Sequence, residues 1–403
     1  MASPNTVIAQ LNAPTQKKLI ESFASRKSAV GKPGKMFSIT GGIRPVDLYC
    51  YLHARFGPPN GIQNLLKRDD SDNMVHWNYT LTYADATIDI MALNYRIDVM
   101  AGHAFCSVIA SADEFVEAIK RDFSNFGPAI SKVRQGLERW HHFLNPYARL
   151  SAAINQMFAR ANELLSTVPS KLPHPRNKFE IERFETNFRK WADAYSEAIG
   201  LCQSVRMLAP VVAESLVNLI LFTMLKPDLK KSPANYDTLV RQHIDDRVKN
   251  LHLTCSYFIR PVDWSSPACK DFNSLMNRRN DYLHGNILPT QTSHEIIYFN
   301  GKTPIFSDWR DFYDRCFGSY THGFSIKDAE RDLIVVEAFR ADILDCMDPK
   351  VHPEIKVLLD TVEIGFNEKT GRMGKLLSEW TFDFFADISK SDSDAYDDCG
   401  AGI

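Results

Sequence analysis

Arg279, Asn280 and His284 occur in the run RNDYLH at residues 279–284, directly before Gly285. A guanidinium grips a phosphate through its planar fork. An imidazole moves a proton near neutral pH. Held in one cleft, the two suit cleavage of RNA by its own 2′-hydroxyl. One group neutralises the phosphodiester while the other takes or returns a proton.

A helix must position these groups. Ser266-Pro267 reads as an N-cap followed by proline at the first helical position, and Gly285 as the C-terminal stop. On a wheel of about 100° per residue, Phe272, Leu275, Met276 and Leu283 cluster on one side. Arg279 falls in the middle of that stripe, Arg278 points away, and Asn280 and His284 lie on one flank. Arg279 and His284 are separated by about 7.5 Å along the axis and about 140° around it. They therefore converge only in a cleft that another surface completes.

The run MLAPVVAESLVNLILFTML (207–225) supplies that surface. Glu214 and Asn218 are four residues apart and share a face of this apolar helix, so both need partners. Glu214 and Asn218, with Arg278 and Asp281, are the candidate substrate contacts. Two arrangements remain open. Arg279 is aimed at an anion arriving from outside, or it is sealed against Glu214 while His284 sits solvated near a helix C-terminus. Both place Glu214 near Arg279.

Composition narrows the classes. The 403 residues carry 47 Lys and Arg against 49 Asp and Glu, a formal net charge of −2, so no global basic field advertises nucleic acid. Any RNA contact must be local. Cys50, Cys106, Cys202, Cys255, Cys269, Cys316, Cys346 and Cys399 are scattered without a CxxC pair, which reads as reduced thiols rather than zinc or a disulfide framework. No metal or cofactor is expected. The first residues lack a basic segment followed by an apolar one, so secretion is not expected and a cytoplasmic setting is. Residues 207–225 are long enough to span a bilayer, but a carboxylate near the centre costs roughly 2.5–3.5 kcal/mol. The run reads as a buried soluble helix, with no membrane partner.

The remaining pattern predicts four segments: an arm with a short helix (1–30), a small α+β domain (31–135), a mainly helical domain (136–350) and a C-terminal extension whose tail from about 385 is acidic and disordered (351–403). In the α+β domain, strands are expected over 36–40 and 77–83 and through 88–99 with a bulge near Met91. A further strand is expected at 105–110. Helices start at Pro45 and at Ser111, where Glu114 completes a capping-box signature and the helix ends near Phe126. In the helical part, separate helices are expected over 150–165, 184–199, 207–225, 240–251 and 267–284. Asn300-Gly301 marks a β-hairpin. Ser325 with Asp328 opens the last main helix.

Three further features are weighed. Trp140-His141-His142 resembles a ligand cluster, but adjacent histidines on a helix diverge by about 100°. Lys178, Arg183, Arg189 and Lys190 alternate with aromatics and read as a solvated face over a core, with an RNA-steering patch as the minority reading. Aromatics at 77–83 read as sheet core before a base-stacking platform.

The hexamer at 279–284, late in its helix, resembles the motif of the HEPN superfamily (higher eukaryotes and prokaryotes nucleotide-binding domains). Residues 211–222 look like that family's first core helix, 236–253 the second, 267–285 the third and 326–347 the fourth. The likeness covers residues 180–350, and the hairpin insertion at 286–325 departs from a minimal bundle. The expected fold is thus an α+β domain followed by a HEPN-like bundle, and what the resemblance implies is that the bundle acts as a metal-independent endoribonuclease, in defence or as a toxin. Arg279 would bind the scissile phosphate, His284 would serve as acid or base, and Asn280 would orient them. The partners implied are RNA, not DNA, and a second subunit presenting its own motif. The rival expectation is a non-catalytic dimerisation or nucleotide- and RNA-binding module. A third is that the N-terminal domain carries the main activity.

Overall fold

In a computed structural model of the chain, the described residues are 3–25, 34–67, 73–84, 86–169, 172, 175–230, 233–289 and 293–376. The expected acidic tail lies outside them. The chain divides into two compact units, residues 1–141 with 366–403, and residues 142–365.

The first unit contains α1 (Pro4–Ala9), α2 (Gln16–Ser25), β1 (Lys35–Ile39), α3 (Pro45–Phe56), β2 (Trp77–Tyr83), β3 (Ala86–Ala92), β4 (Ile97–Ala101), α4 (His103–Cys106) and α5 (Ala112–Gly136). The strands form an antiparallel sheet in the order β1-β4-β3-β2. Tyr79 lies opposite Ile90, and Ile90 opposite Val99, so one face presents a continuous apolar row. Val7 and Ile8 of α1, Leu48 and Leu52 of α3 and Phe115 and Ile119 of α5 cover that row and are fully buried. The aromatics of β2 are therefore core: Tyr79 is buried and donates to the Gly57 carbonyl at 2.9 Å.

Four expectations for this unit need correction. Residues 4–9 form a helix instead of an arm, because Ser3 caps it and Val7 and Ile8 find the core. No bulge interrupts β3: the shift in alternation is a turn, with the Leu93 amide donating to the Arg96 carbonyl. The strand expected at 105–110 is instead the short helix α4 and a following turn. Phe105, Cys106 and Ile109 are buried at helical spacing, and β4 already has β1 and β3 as its two neighbours in the sheet. Helix α5 runs ten residues past Phe126, through Pro128, and Glu114 accepts from the Ala110 amide while Ser111 caps Glu114.

β5 (Trp140–Leu144) leads into the second unit. Its helices are α6 (Pro146–Thr167), α7 (Lys178–Met224), α8 (Pro227–Lys230), α9 (Pro233–Val240), α10 (Ile244–Lys249), α11 (Leu251–Thr254) and α12 (Pro267–His284). The hairpin β6 (Ile297–Asn300) and β7 (Thr303–Phe306) follows, then α13 (Phe312–Thr321), α14 (Ile326–Leu344), α15 (His352–Asp360) and short strands β8 (Glu363–Asn367) and β9 (Met373–Gly374).

Helices expected separately at 184–199 and 207–225 are one 47-residue helix, α7. Pro210 lies inside it and removes one ladder hydrogen bond. Ala209, Val212, Ala213, Leu216 and Val217 are buried around that point, and their packing outweighs the loss. By length and composition α7 is apolar enough to cross a membrane, and half of its most apolar window is buried inside the protein. The helix expected at 240–251 is divided among α9, α10 and α11, which Gln242 and Asn250 separate. The core of α12 meets that of α14 where Phe272 and Phe339, both fully buried, stack with ring centroids 4.0 Å apart.

Cys202 on α7, Cys255 after α11 and Cys269 on α12 are buried, and burial pushes each thiol up to about 11 from an ordinary 9.0. Folded thiols stay protonated where unfolded ones ionise, so this stability is complete below pH 9 and drains away as pH rises toward 11. The shift corresponds to at most about 3 kcal/mol per thiol. The urea midpoint is expected to hold below pH 9 and fall between pH 9 and 11, less steeply in Cys255→Ala. An equal slope in that variant would contradict the assignment.

Candidate functional site

The motif helix forms as its sequence dictates. The Ser266 hydroxyl accepts from the Cys269 amide at 3.2 Å, Pro267 occupies the first turn, and Gly285 takes φ 64° in the left-handed region. Phe272 and Leu275 are buried, but the helix then leaves the core. Met276 is half-buried and Leu283 is 60% exposed. Arg279 is thus at the rim of the apolar stripe instead of its centre, because α14 supports only the first half of the face that the wheel predicted.

At that rim, Glu214 sits between two guanidiniums. Arg247 of α10 donates through one terminal nitrogen to Glu214 and through the other to Asn218. Its side chain is 4% exposed, and the Glu214 side chain 28%. The Arg279 guanidinium reaches the second Glu214 oxygen at 3.8 Å and touches Met276 Sδ at 3.8 Å. The side chain of Arg279 is 17% exposed. The Nε atoms of both arginines are buried, and among the described residues neither has a hydrogen-bond partner. Two cations share one anion, leaving a local charge of +1 in a half-dry setting where a charge acts strongly.

The expected proximity of Glu214 and Arg279 is observed, but the strong partner of Glu214 and Asn218 is Arg247, which was missed. A signal existed: Ile244, Arg247 and Leu251 follow helical spacing, so Arg247 shares the face that α10 and α11 bury.

Arg278 and Asp281 lie on another face. Arg278 reaches Asp332 at 3.3 Å, and Asp332 also accepts from Arg206 Nε at 2.5 Å. Arg206 and Asp332 are buried together between α7 and α14. A cavity of about 520 Å³ opens beside them, lined among others by Arg206, Arg278, Asp281, Tyr282, Gly323 and Asp328. The candidate substrate contacts are therefore split: Arg278 and Asp281 face this cavity, while Glu214 and Asn218 accompany Arg279.

Asn280 and His284 are exposed, and among the described residues neither side chain has a hydrogen-bond partner. Both stand on the outer surface of the last turns of α12. Arg279 precedes them in the same stretch, its side chain 17% exposed and its Nε buried.

Elsewhere, His141 and His142 lie on a strand, not a helix. They face Glu368 at 3.0 Å and Glu363 at 3.2 Å. Among the described residues no group of three or more His, Cys, Asp or Glu is arranged to hold a metal ion. Phe184, Phe188, Trp191 and Tyr195 stack along α7, and Arg183, Arg189 and Lys190 are exposed beside them. No protein-family model, no curated protein and no solved structure matches the chain.

The two arginines should differ sharply in what they do for stability. Glu214→Ala leaves Arg247 buried and unpaired, which costs about 3–5 kcal/mol. Arg279→Ala leaves the Arg247–Glu214 pair intact and is expected to cost under about 1 kcal/mol. Urea denaturation of both variants checks this. Equal costs would make Arg279 a structural residue.

Proposed function

We propose that the helical unit is a metal-independent endoribonuclease of HEPN type. The observation that carries the reading is that Glu214 is committed to Arg247, so Arg279 has only a 3.8 Å contact to it, on the helix end that also carries exposed Asn280 and His284. A guanidinium neutralised by a closed ion pair has no capacity left for a phosphate, and this one retains it.

On this reading Arg279 binds the scissile phosphate and stabilises the charge that builds on its equatorial oxygens. His284 takes the proton of the 2′-hydroxyl, or returns one to the departing 5′-oxygen. The new bond joins the 2′-oxygen to phosphorus, and the bond to the 5′-oxygen breaks. Asn280 orients the phosphate or the imidazole. One motif carries one histidine, and both proton transfers need a group, so a second copy of the motif supplies the other. Arg247 and Asn218 position Glu214, which in turn sets where Arg279 can reach. A role in defence or as a toxin accompanies the reading.

A second reading has its own support: the 3.8 Å contact from Arg279 to Glu214 lies within one unit, as a purely structural pair would. The bundle would then bind or dimerise without catalysis.

Incubation of the purified chain with RNA in EDTA separates them. The nuclease reading expects cleavage that falls at least ~100-fold in Arg279→Ala and in His284→Ala. RNA binding without cleavage, unchanged by His284→Ala, would overturn it in favour of the second.

A further inference from the structure

The insertion between α12 and α14 carries a hairpin that nothing in the site uses. Two arginines fix its base. Arg315 pairs with Glu295, donates to the Asp308 carbonyl at 3.1 Å and lies 3.9 Å over the Phe306 ring. Arg310 donates to the His294 carbonyl at 3.2 Å. From that base β6 and β7 project through a turn at Gly301 (φ 61°), with every strand residue exposed.

Two isolated strands are marginal in water, and these are apolar on both faces. Ile297, Phe299 and Phe306 lie on one face, and Tyr298 and Ile305 on the other. Ile296 and Trp309 flank them, also exposed. A soluble monomer seldom leaves such a patch uncovered.

The chemistry of the patch selects its occupant. Lys302, Arg310 and Arg315 face Glu295, Asp308, Asp311 and Asp314 within residues 293–315, three charges against four. With both arginines already engaged, there is no field for RNA phosphates or an anionic bilayer. A protein surface fits. In the observed register, outward main-chain groups fall at Ile297 and Phe299 on β6 and at Pro304 and Phe306 on β7. Pro304 has no N–H, so β7 is a blunted edge and β6 an open one. A single open edge pairs with its own copy and then closes.

The size also fits. The seven exposed side chains at 296–299, 305, 306 and 309 uncover on the order of 100 Å² each. That is roughly 700 Å², close to the ~800 Å² that each partner of a stable complex contributes. At the end of the motif helix Leu283 and Ile287 are also exposed, at 60% and 82%.

We propose that the β6–β7 hairpin is the docking arm for a second copy of this chain, with the two β6 edges pairing antiparallel across a two-fold axis. The interface stands on the hairpin alone. Only its consequence, that docking brings a second α12 terminus near the first, rests on the nuclease reading.

Light scattering on the full-length chain at about 10 µM tests it. The expected mass is twice 45.8 kDa, falling to one chain in Phe299→Glu and in Tyr298→Glu, each still unfolding in one cooperative thermal transition. Should those variants misfold, hydrogen exchange of the wild-type chain decides. Amides of Ile297 and Phe299 are then protected at high concentration and exposed on dilution. A monomeric wild type, a dimer that survives folded Phe299→Glu, or β6 amides unprotected at every concentration would overturn the proposal. A dimer that leaves RNA intact would support the arm and sink the nuclease reading.

Discussion

One carboxylate shared by two guanidiniums is the constraint on which the site depends. Glu214 lies on the most apolar stretch of α7, where a charge is tolerated only when it is met. Arg247 meets it almost out of water, with Asn218 taking the second terminal nitrogen. That arrangement saturates the strong geometry around Glu214 and leaves Arg279 with a longer contact. The excess positive charge sits at the surface end of α12, where the helix has left the core and solvent reaches its outer face. Stability and reactivity are thereby assigned to different arginines.

Helix α7 makes this division possible. Its middle is tied to α14 by the buried Arg206–Asp332 pair, which Arg278 joins from α12. Two turns further along, Glu214 holds α10 through Arg247. The same rigid helix therefore positions α12 from two sides. The first half of α12 is fastened by Phe272 against Phe339, and its last turns carry Arg279 at the rim of the core and Asn280 and His284 exposed. A firm support with an exposed end is what a phosphate-binding surface requires.

Much of this was legible in the residues. Ser266-Pro267 and Gly285 bounded α12 correctly because caps are local chemistry, and Asn300-Gly301 located the hairpin for the same reason. Glu214 beside Arg279 followed from two core-facing charges of opposite sign. The wheel misjudged Leu283, since periodicity does not say where a supporting helix ends. The helices expected separately at 184–199 and 207–225 are one, because apolar periodicity does not show that packing carries α7 across the residues between them. Arg247 went unread although it shares the spacing of Ile244 and Leu251. The pairing of Arg206 with Asp332 links residues more than 120 positions apart, and no local pattern names the partner. The strand expected at 105–110 failed because a short apolar run has no period long enough to separate helix from strand.

The proposed chemistry leaves a signature in its products that binding or contamination by a metal-dependent nuclease does not. Attack by the 2′-hydroxyl forms a cyclic phosphate on one fragment and frees a 5′-hydroxyl on the other. Mass spectrometry of RNA fragments generated by the purified chain in EDTA reads both ends at once. The account predicts 2′,3′-cyclic phosphate and 5′-hydroxyl termini. Fragments bearing 3′-hydroxyl and 5′-phosphate termini would contradict it.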